Sequence, residues 1–162
     1  MSKKEKSTNA IGLDAGKTKE LADKLNGLLA NYQIFYQNAR GFHWNIKGQK
    51  FFELHVKFEE IYTDSLLKID EIAERVRTLG ATPMHSFSDY VKNSSIKEIK
   101  DVSDGLLAVE EVLKGFKVLL EKERVILDLS ADADDEGTNS LMSDYISQQE
   151  KLVWMYSAYL AK

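Results

Sequence analysis

The sequence predicts an all-α protein: one four-helix bundle with a long link between its second and third helices. Three observations carry this. A single proline stands in 162 residues, so long helices can run without interruption. Four segments repeat apolar residues at steps of three and four, the period of a helix with one buried face. The breaks between these segments are short, except the second. The length fits one domain, and 43% hydrophobic residues suffice for one core.

Residues 1–16 are small, polar and charged, without a sustained period, and read as a flexible N-terminal arm. Asp14 stands where a short acidic side chain can cap the helix that follows. The bundle domain is expected to span 17–162. From about Lys17, Leu21, Leu25, Leu28, Tyr32, Phe35, Ala39 and Phe42 form one stripe, which stops near Gly48. A second helix from about Phe51 carries Leu54, Phe58, Ile61, Ser65, Ile69, Ile72, Val76 and Leu79, and ends at Gly80 before Pro83. Residues 84–101 form the crossover, with a short helix near Ser86–Val91 and a loop from Lys92 to Lys100. A third long helix starts near Ser103, with Val102, Leu106, Val109, Leu113, Phe116, Leu120 and Leu127 on its core face. Residues 131–137 break the period and read as a turn. The fourth helix runs from about Thr138 with Leu141, Tyr145, Leu152, Met155 and Tyr159 inward. One long crossover among four helices is ferritin-like connectivity.

Composition excludes several functions. Without cysteine there are no disulfides, thiolate nucleophiles or iron–sulfur clusters. Charged residues make up 30%, and no apolar run reaches the ~18 residues that would span a bilayer. The charged N-terminus lacks the apolar stretch of a secretory signal, so a cytoplasmic location is expected. A net charge of −4 does not attract nucleic acid to the molecule as a whole. No glycine-rich phosphate loop or nucleophile elbow is present.

The second helix holds the residues with chemistry to offer. His55 and Glu59 are four apart, as are Asp70 and Glu74. His43 just precedes the first turn and His55 just follows it, so a helical hairpin brings the two imidazoles level. Taken singly, a histidine on a helix is more often structural than a ligand, and paired acids are more often a solvated face. An in-bundle di-iron site needs Glu-x-x-His on two helices; this chain has none, and its predicted inner faces are almost wholly apolar. His55 and Asp70 are 15 residues apart, so ~22 Å along one helix. One ion cannot touch both in one chain. Two copies of the helix, antiparallel about a two-fold axis near Tyr62 or Thr63, would bring His55 of one level with Asp70 of the other. Mixed nitrogen and oxygen ligands with open positions suit iron(II), with zinc or manganese as substitutes.

These residues fall in a recognisable pattern. Gly41-Phe-His-Trp-Asn-Ile-Lys-Gly48, then Phe51-Phe-x-Leu-His55-x-x-Phe-Glu59-Glu-x-Tyr62, then Asp70-Glu-Ile-Ala-Glu74 closely resemble the Dps family. These are ferritin-like mini-ferritins named for DNA-binding proteins from starved cells. The likeness spans nearly the whole chain, including Trp154. It implies a hollow homododecamer with ferroxidase sites at its two-fold interfaces. It implies His43, His55 and Glu59 from one subunit and Asp70 and Glu74 from its neighbour as ligands. The family often has Asp where Glu59 stands. Trp44 lies beside the site in the family pattern, as a packing aromatic or as a sacrificial electron donor. The resemblance further implies oxidation of Fe(II) by hydrogen peroxide in preference to dioxygen. Ferric mineral would be stored in the shell, protecting the cell from oxidative damage.

Two further stretches are read against the family. Asp132, Asp134, Asp135 and Glu136 are an ordinary solvated turn or, as the family implies, the lining of negatively charged three-fold pores, with Asp144 replacing an acid that relatives carry where Ser140 stands. Lys3, Lys4 and Lys6 give a basic tip diluted by Glu5, the candidate for DNA contact and nucleoid association. The alternatives are therefore a non-specific DNA-binding nucleoid protein with secondary metal binding, and a helical scaffold without metal. His85, next to no other ligand type, is assigned to the surface.

Overall fold

The computed structural model describes residues 7–162, and Lys3, Lys4 and Lys6 lie outside the described residues. Its elements are α1 (Ala15–Asn45), α2 (Phe51–Thr78), α3 (Phe87–Asn93), α4 (Gly105–Asp132) and α5 (Glu136–Tyr159). No strand occurs among the described residues.

Each start has a local cause. Asp14 caps α1 as expected, accepting from the amides of Gly16 and Lys17. Ser86, Asp104 and Asp135 do the same for α3, α4 and α5, each satisfying a helix-end donor that the ladder leaves free. Gly80, at φ 92°, takes the left-handed turn that ends α2.

Residues 7–14, within the expected arm, are ordered against the bundle. From Ser7 the chain is folded onto the end of α2. The Asn9 carboxamide oxygen accepts from the amides of Ile11 and Leu13, and its nitrogen donates to the Leu79 carbonyl. α1 then starts two residues before Lys17. The turn before α5 is also tighter than 131–137, because α4 continues through Asp132 and Glu136 already belongs to α5.

The crossover is held by asparagines of α1. Asn26 bonds the Thr82 carbonyl and the Met84 amide. The Asn31 oxygen accepts from Ser94 Oγ and from the amides of Ser95 and Ile96. Asn38 pairs with Lys97 and Ile99. The strap therefore runs in the same direction as α1, from its start towards its end. There the Lys47 amide donates to Ser103 at 2.9 Å. α4 consequently enters beside the α1–α2 loop and runs antiparallel to α1. The bundle closes as α1–α2, α2–α5, α5–α4 and α4–α1.

The core stripes of α1 and α2 are those expected, and every residue named for them is buried. Those of α4 and α5 hold in part. Val109, Phe116, Leu120 and Tyr145 are buried as expected, while Leu106 and Met155 are exposed, at 48% and 46%. The buried faces also take in Ala108, Val112, Leu119 and Ile126 on α4, and Met142 and Tyr156 on α5. Close approach explains this. A Cβ on Gly115 would lie 2.5 Å from the Phe35 ring, and one on Gly105 equally near Leu54. Where helices come this close, small residues face the neighbour and large ones are turned outward.

Candidate metal centre

The tight loop between α1 and α2 sets His43, on the last turn of the first helix, against His55, on the second turn of the next. Their rings stack with centroids 3.7 Å apart and planes 14° from parallel. His43 Nδ1 lies 2.7 Å from the His55 carbonyl, and His55 Nδ1 lies 2.7 Å from the His43 carbonyl. A carbonyl oxygen only accepts, so each Nδ1 carries a proton and donates it. The lone pair of each neutral ring is then on Nε2. Such bonds to the far nitrogen fix ring orientation and tautomer in metal-binding histidines. Phe51 stacks on His55 at 4.9 Å, and Tyr62 packs edge-on to His43 at 5.2 Å.

The carboxylates lie along the same helix. At 3.6 residues per turn, Phe52, His55, Val56, Glu59, Thr63, Leu66, Leu67, Asp70 and Glu74 fall within an arc of about 120°, opposite the core stripe of α2. Glu59, Asp70 and Glu74 are exposed. So are Phe52 (83%), Val56, Leu66 and Leu67 (61%). Among the described residues, no three His, Asp or Glu side chains gather in the one chain as a group that could hold a metal ion. The structure thus brings the two histidines together and leaves Asp70 and Glu74 further down the same face.

The remaining expected residues sort differently. Trp44 is 56% exposed and carries the Arg40 guanidinium over its ring at 4.7 Å. Arg40 also lies 5.2 Å from the Tyr36 ring. In the acidic turn, Asp132, Asp134, Glu136 and Asp144 are exposed. Asp135 is not available to a pore: it is buried, accepts from the Thr138 amide and hydroxyl, and pairs with Arg75 at 2.5 Å. Its short side chain is used up as helix cap and ion-pair partner. His85 is on the surface.

One group escaped the sequence reading. The bundle interior, expected to be almost wholly apolar, contains Tyr32, Glu123 and Gln149. The Tyr32 hydroxyl donates to Glu123 Oε1 at 2.6 Å, and Gln149 Nε2 reaches both. Burial raises the Glu123 carboxyl above its ordinary range, against the opposing effect of these bonds. Burial also raises the Tyr32 phenol. The signal was legible as polar residues in step with an apolar stripe: Phe116, Leu119, Glu123, Ile126 on α4 and Met142, Tyr145, Gln149 on α5.

A family model described as a ferritin-like domain matches residues 22–162. The chain is 41% identical over 151 residues to the DNA protection during starvation protein of Porphyromonas gingivalis, covering 93% of this chain and 95% of that one. It is 56% identical to an uncharacterized protein of Haemophilus influenzae, with 94% and 95% covered. The crystal structure of the DPS protein from Vibrio cholerae O1 matches with a TM-score of 0.93 and 59% identity, over 94% of this chain and 96% of that one. The chain belongs to the Dps family. That Vibrio protein is described as a member of a broad superfamily of ferritin-like diiron-carboxylate proteins. A second Dps structure, from Bacillus brevis, matches at 0.86 with 35% identity, over 90% of this chain and 97% of that one. With coverage this complete, the strap and its short α3 belong to the shared Dps fold. Among the described residues, no helix is long and apolar enough to cross a membrane.

Proposed function

We propose that this Dps chain is a ferroxidase subunit whose site is completed by a second copy. The observation that carries the reading is the His43–His55 pair. Both rings are locked through Nδ1 so that Nε2 is the free ligand atom, yet among the described residues no set of carboxylates in the same chain closes a site with them. Asp70 and Glu74 lie on the same face of α2. The exposed apolar residues between His55 and Asp70, namely Val56, Leu66 and Leu67, and Phe52 one turn before His55, are surface that a partner helix would cover. Two copies of α2, antiparallel about a two-fold axis near Tyr62 or Thr63, set the histidines of each opposite the carboxylates of the other. Glu59 joins the histidines from their own chain. The contact is self-complementary and yields two equivalent sites.

Iron is the substrate. Imidazole nitrogens and carboxylate oxygens suit Fe(II), and Asp70, Glu74 and Glu59 offset its charge. Two Fe(II) held together supply two electrons to one hydrogen peroxide. The O–O bond breaks, both oxygens leave as water with two protons, and two Fe(III) result. No single electron is passed to peroxide alone, so hydroxyl radical is avoided. Fe(II) enters by way of acids among Asp132, Asp134, Glu136 and Asp144, and the ferric product is stored as mineral in a homododecameric shell. Zinc or manganese would compete for the same ligand set, and zinc, being redox-inert, would only block it.

Subunit mixing tests the reading. His43→Ala/His55→Ala chains and Asp70→Asn/Glu74→Gln chains are each expected to lose saturable Fe(II) binding and rapid peroxide-driven oxidation. Unfolded together and reassembled, a mixed pair has one site with all its native ligands and one that keeps only Glu59, so activity returns. A site contained within one chain predicts that the mixture stays as inactive as its parents.

DNA association is the secondary reading. It rests on Lys3, Lys4 and Lys6 and on the printed name of the Porphyromonas relative, against a net charge of −4. Binding through three lysines weakens steeply with salt, so a gel shift at two salt concentrations, with and without residues 1–7, decides it.

A further inference from the structure

We propose that the bundle interior holds a monovalent cation, of the size of potassium, between Glu123 on α4 and Gln149 on α5. The site lies away from the histidine pair and does not depend on the ferroxidase reading.

The hydrogen bonds of the buried polar group leave two oxygens over. Glu123 and Gln149 are 0% and 1% exposed. Tyr32 gives its one hydroxyl proton to Glu123 Oε1, and Gln149 Nε2 donates to that same oxygen and to the Tyr32 hydroxyl oxygen. Turning the Gln149 amide over would set its carbonyl against two oxygens with no proton left to give, so its orientation is fixed. Glu123 Oε2 and Gln149 Oε1 are therefore both acceptors, both shut off from bulk water, and neither has a partner among the described residues. A buried acceptor without a partner is costly, and an ionised one far more so. A proton on Oε2 relieves this when the carboxyl is neutral. A cation lying against both oxygens relieves it when the carboxyl is ionised.

Charge and space set the kind of ion. One carboxylate balances one positive charge, and a divalent ion would leave net charge in a low-dielectric interior. The nearby protein cations are already engaged. Lys68 Nζ donates to Asp64 at 2.6 Å and to Gln148 at 2.5 Å, and Arg124 pairs with Glu150. Both act on Glu123 only through space. The other titratable groups facing it, Tyr32 on α1 and Tyr145 on α5, are pushed further towards their neutral form by burial and by Glu123 itself. Tyr32 and Gln149 line a cavity of about 160 Å³ between α2 and α5. That is room for an ion and for waters to complete its shell. Glu60 and Asp64 line the same cavity, with partly exposed carboxylates that draw cations towards it. The Born cost of leaving water falls as the ion grows, so potassium is favoured over sodium where the protein supplies few ligands.

The test uses the assembled, iron-free protein. Its melting temperature is measured at pH 8 and at pH 5 as potassium chloride replaces tetramethylammonium chloride at constant ionic strength. The methyl groups of tetramethylammonium keep its charge away from oxygen ligands. The expected result at pH 8 is a saturable rise of about 3 °C or more. It should shrink at pH 5, where the proton competes, and vanish in Glu123→Gln, which keeps the Oε1 acceptor and has no charge to balance. A second measurement needs no variant. Crystals of the native protein soaked in thallium(I) nitrate, thallium(I) being a mimic of potassium, should show an anomalous peak beside Glu123 Oε2 and Gln149 Oε1. Equal melting temperatures in the two salts at pH 8, or the same potassium response in Glu123→Gln, overturn the site. So does density there for a water alone, without anomalous signal.

Discussion

Arg75, one residue beyond Glu74 on α2, grips Asp135 in the turn before α5, with 2.5 Å between Nη2 and Oδ1. Its Nε donates to Thr138 Oγ1 at 2.8 Å, so the guanidinium engages both members of the α5 cap. Gly137 leaves the space this needs, since a Cβ there would lie 2.8 Å from the guanidinium. The helix bearing the candidate carboxylates and the acidic turn are thereby one mechanical unit.

Asp135→Ala removes a helix cap and leaves a largely buried guanidinium unpaired. The expected loss is about 3 kcal/mol, the scale for breaking a buried ion pair, read as a lower urea midpoint. Asp134→Ala, at an exposed neighbouring acid, should shift the midpoint far less. Equal effects would mean that Asp135 acts as surface charge alone.

Asn31→Ala frees the crossover. Its oxygen accepts three hydrogen bonds from Ser94, Ser95 and Ile96, and the Ile96 amide is left buried without a partner. The expected cost is about 2 kcal/mol. Hydrogen exchange should quicken at Ser95 and Ile96 and leave the middle of α2 protected. Uniform acceleration along the chain would show that the strap is not a separate unit of opening.

Glu123→Gln tests the buried acid. Burial raises the folded carboxyl above its ordinary 4.5, so the folded chain holds a proton that the unfolded chain releases. Stability from this group is full below the unfolded value and is lost as pH rises towards the folded one. The amide keeps the Oε1 acceptor for Tyr32 and Gln149 and cannot ionise. Its melting temperature relative to the native protein should therefore rise as pH is raised above the ordinary carboxyl range, where the native chain bears the linkage cost. A constant difference across that range would show that Glu123 does not titrate with folding.

Gly115→Ala places a methyl 2.5 Å from the Phe35 ring. Phe35 also packs on Phe116 at 5.0 Å, so the ring has little room to yield. Overpacking of this kind costs roughly 1–3 kcal/mol. Gly27→Ala on α1, with nothing within 4 Å of its new Cβ, should instead gain slightly from helix propensity.

How far these properties were legible in the sequence depends on what each residue's neighbours decide. The α1 and α2 stripes were readable because large residues such as Leu25 and Phe58 occupy nearly every core step. Those of α4 and α5 were readable only in part, because Gly105, Ala108 and Gly115 face the close contacts and an apolar count passes over them. The pairing of His43 with His55 follows from a short loop between helices. The mutual Nδ1 bonds to carbonyls do not, since they depend on where two backbones point. Asp135 looked like one acid among four, and its burial depends on Arg75, 60 residues earlier. Glu123 was masked by its own polarity, which an apolar pattern discards. Tyr62 stood in the motif, and only the ring contact with His43 gives it a chemical neighbour.

α2 is occupied nearly all round. One side fills the bundle core, the opposite side carries the histidine and carboxylates, and between them Asp64, Lys68, Glu71 and Arg75 reach across to α5. What remains is a short edge at Glu53, Lys57 and Glu60, where the charges are exposed and their ion pairs contribute little. Evolution therefore has almost no slack in this helix. In a saturation screen of growth under peroxide, substitutions along α2 should be tolerated chiefly at that edge.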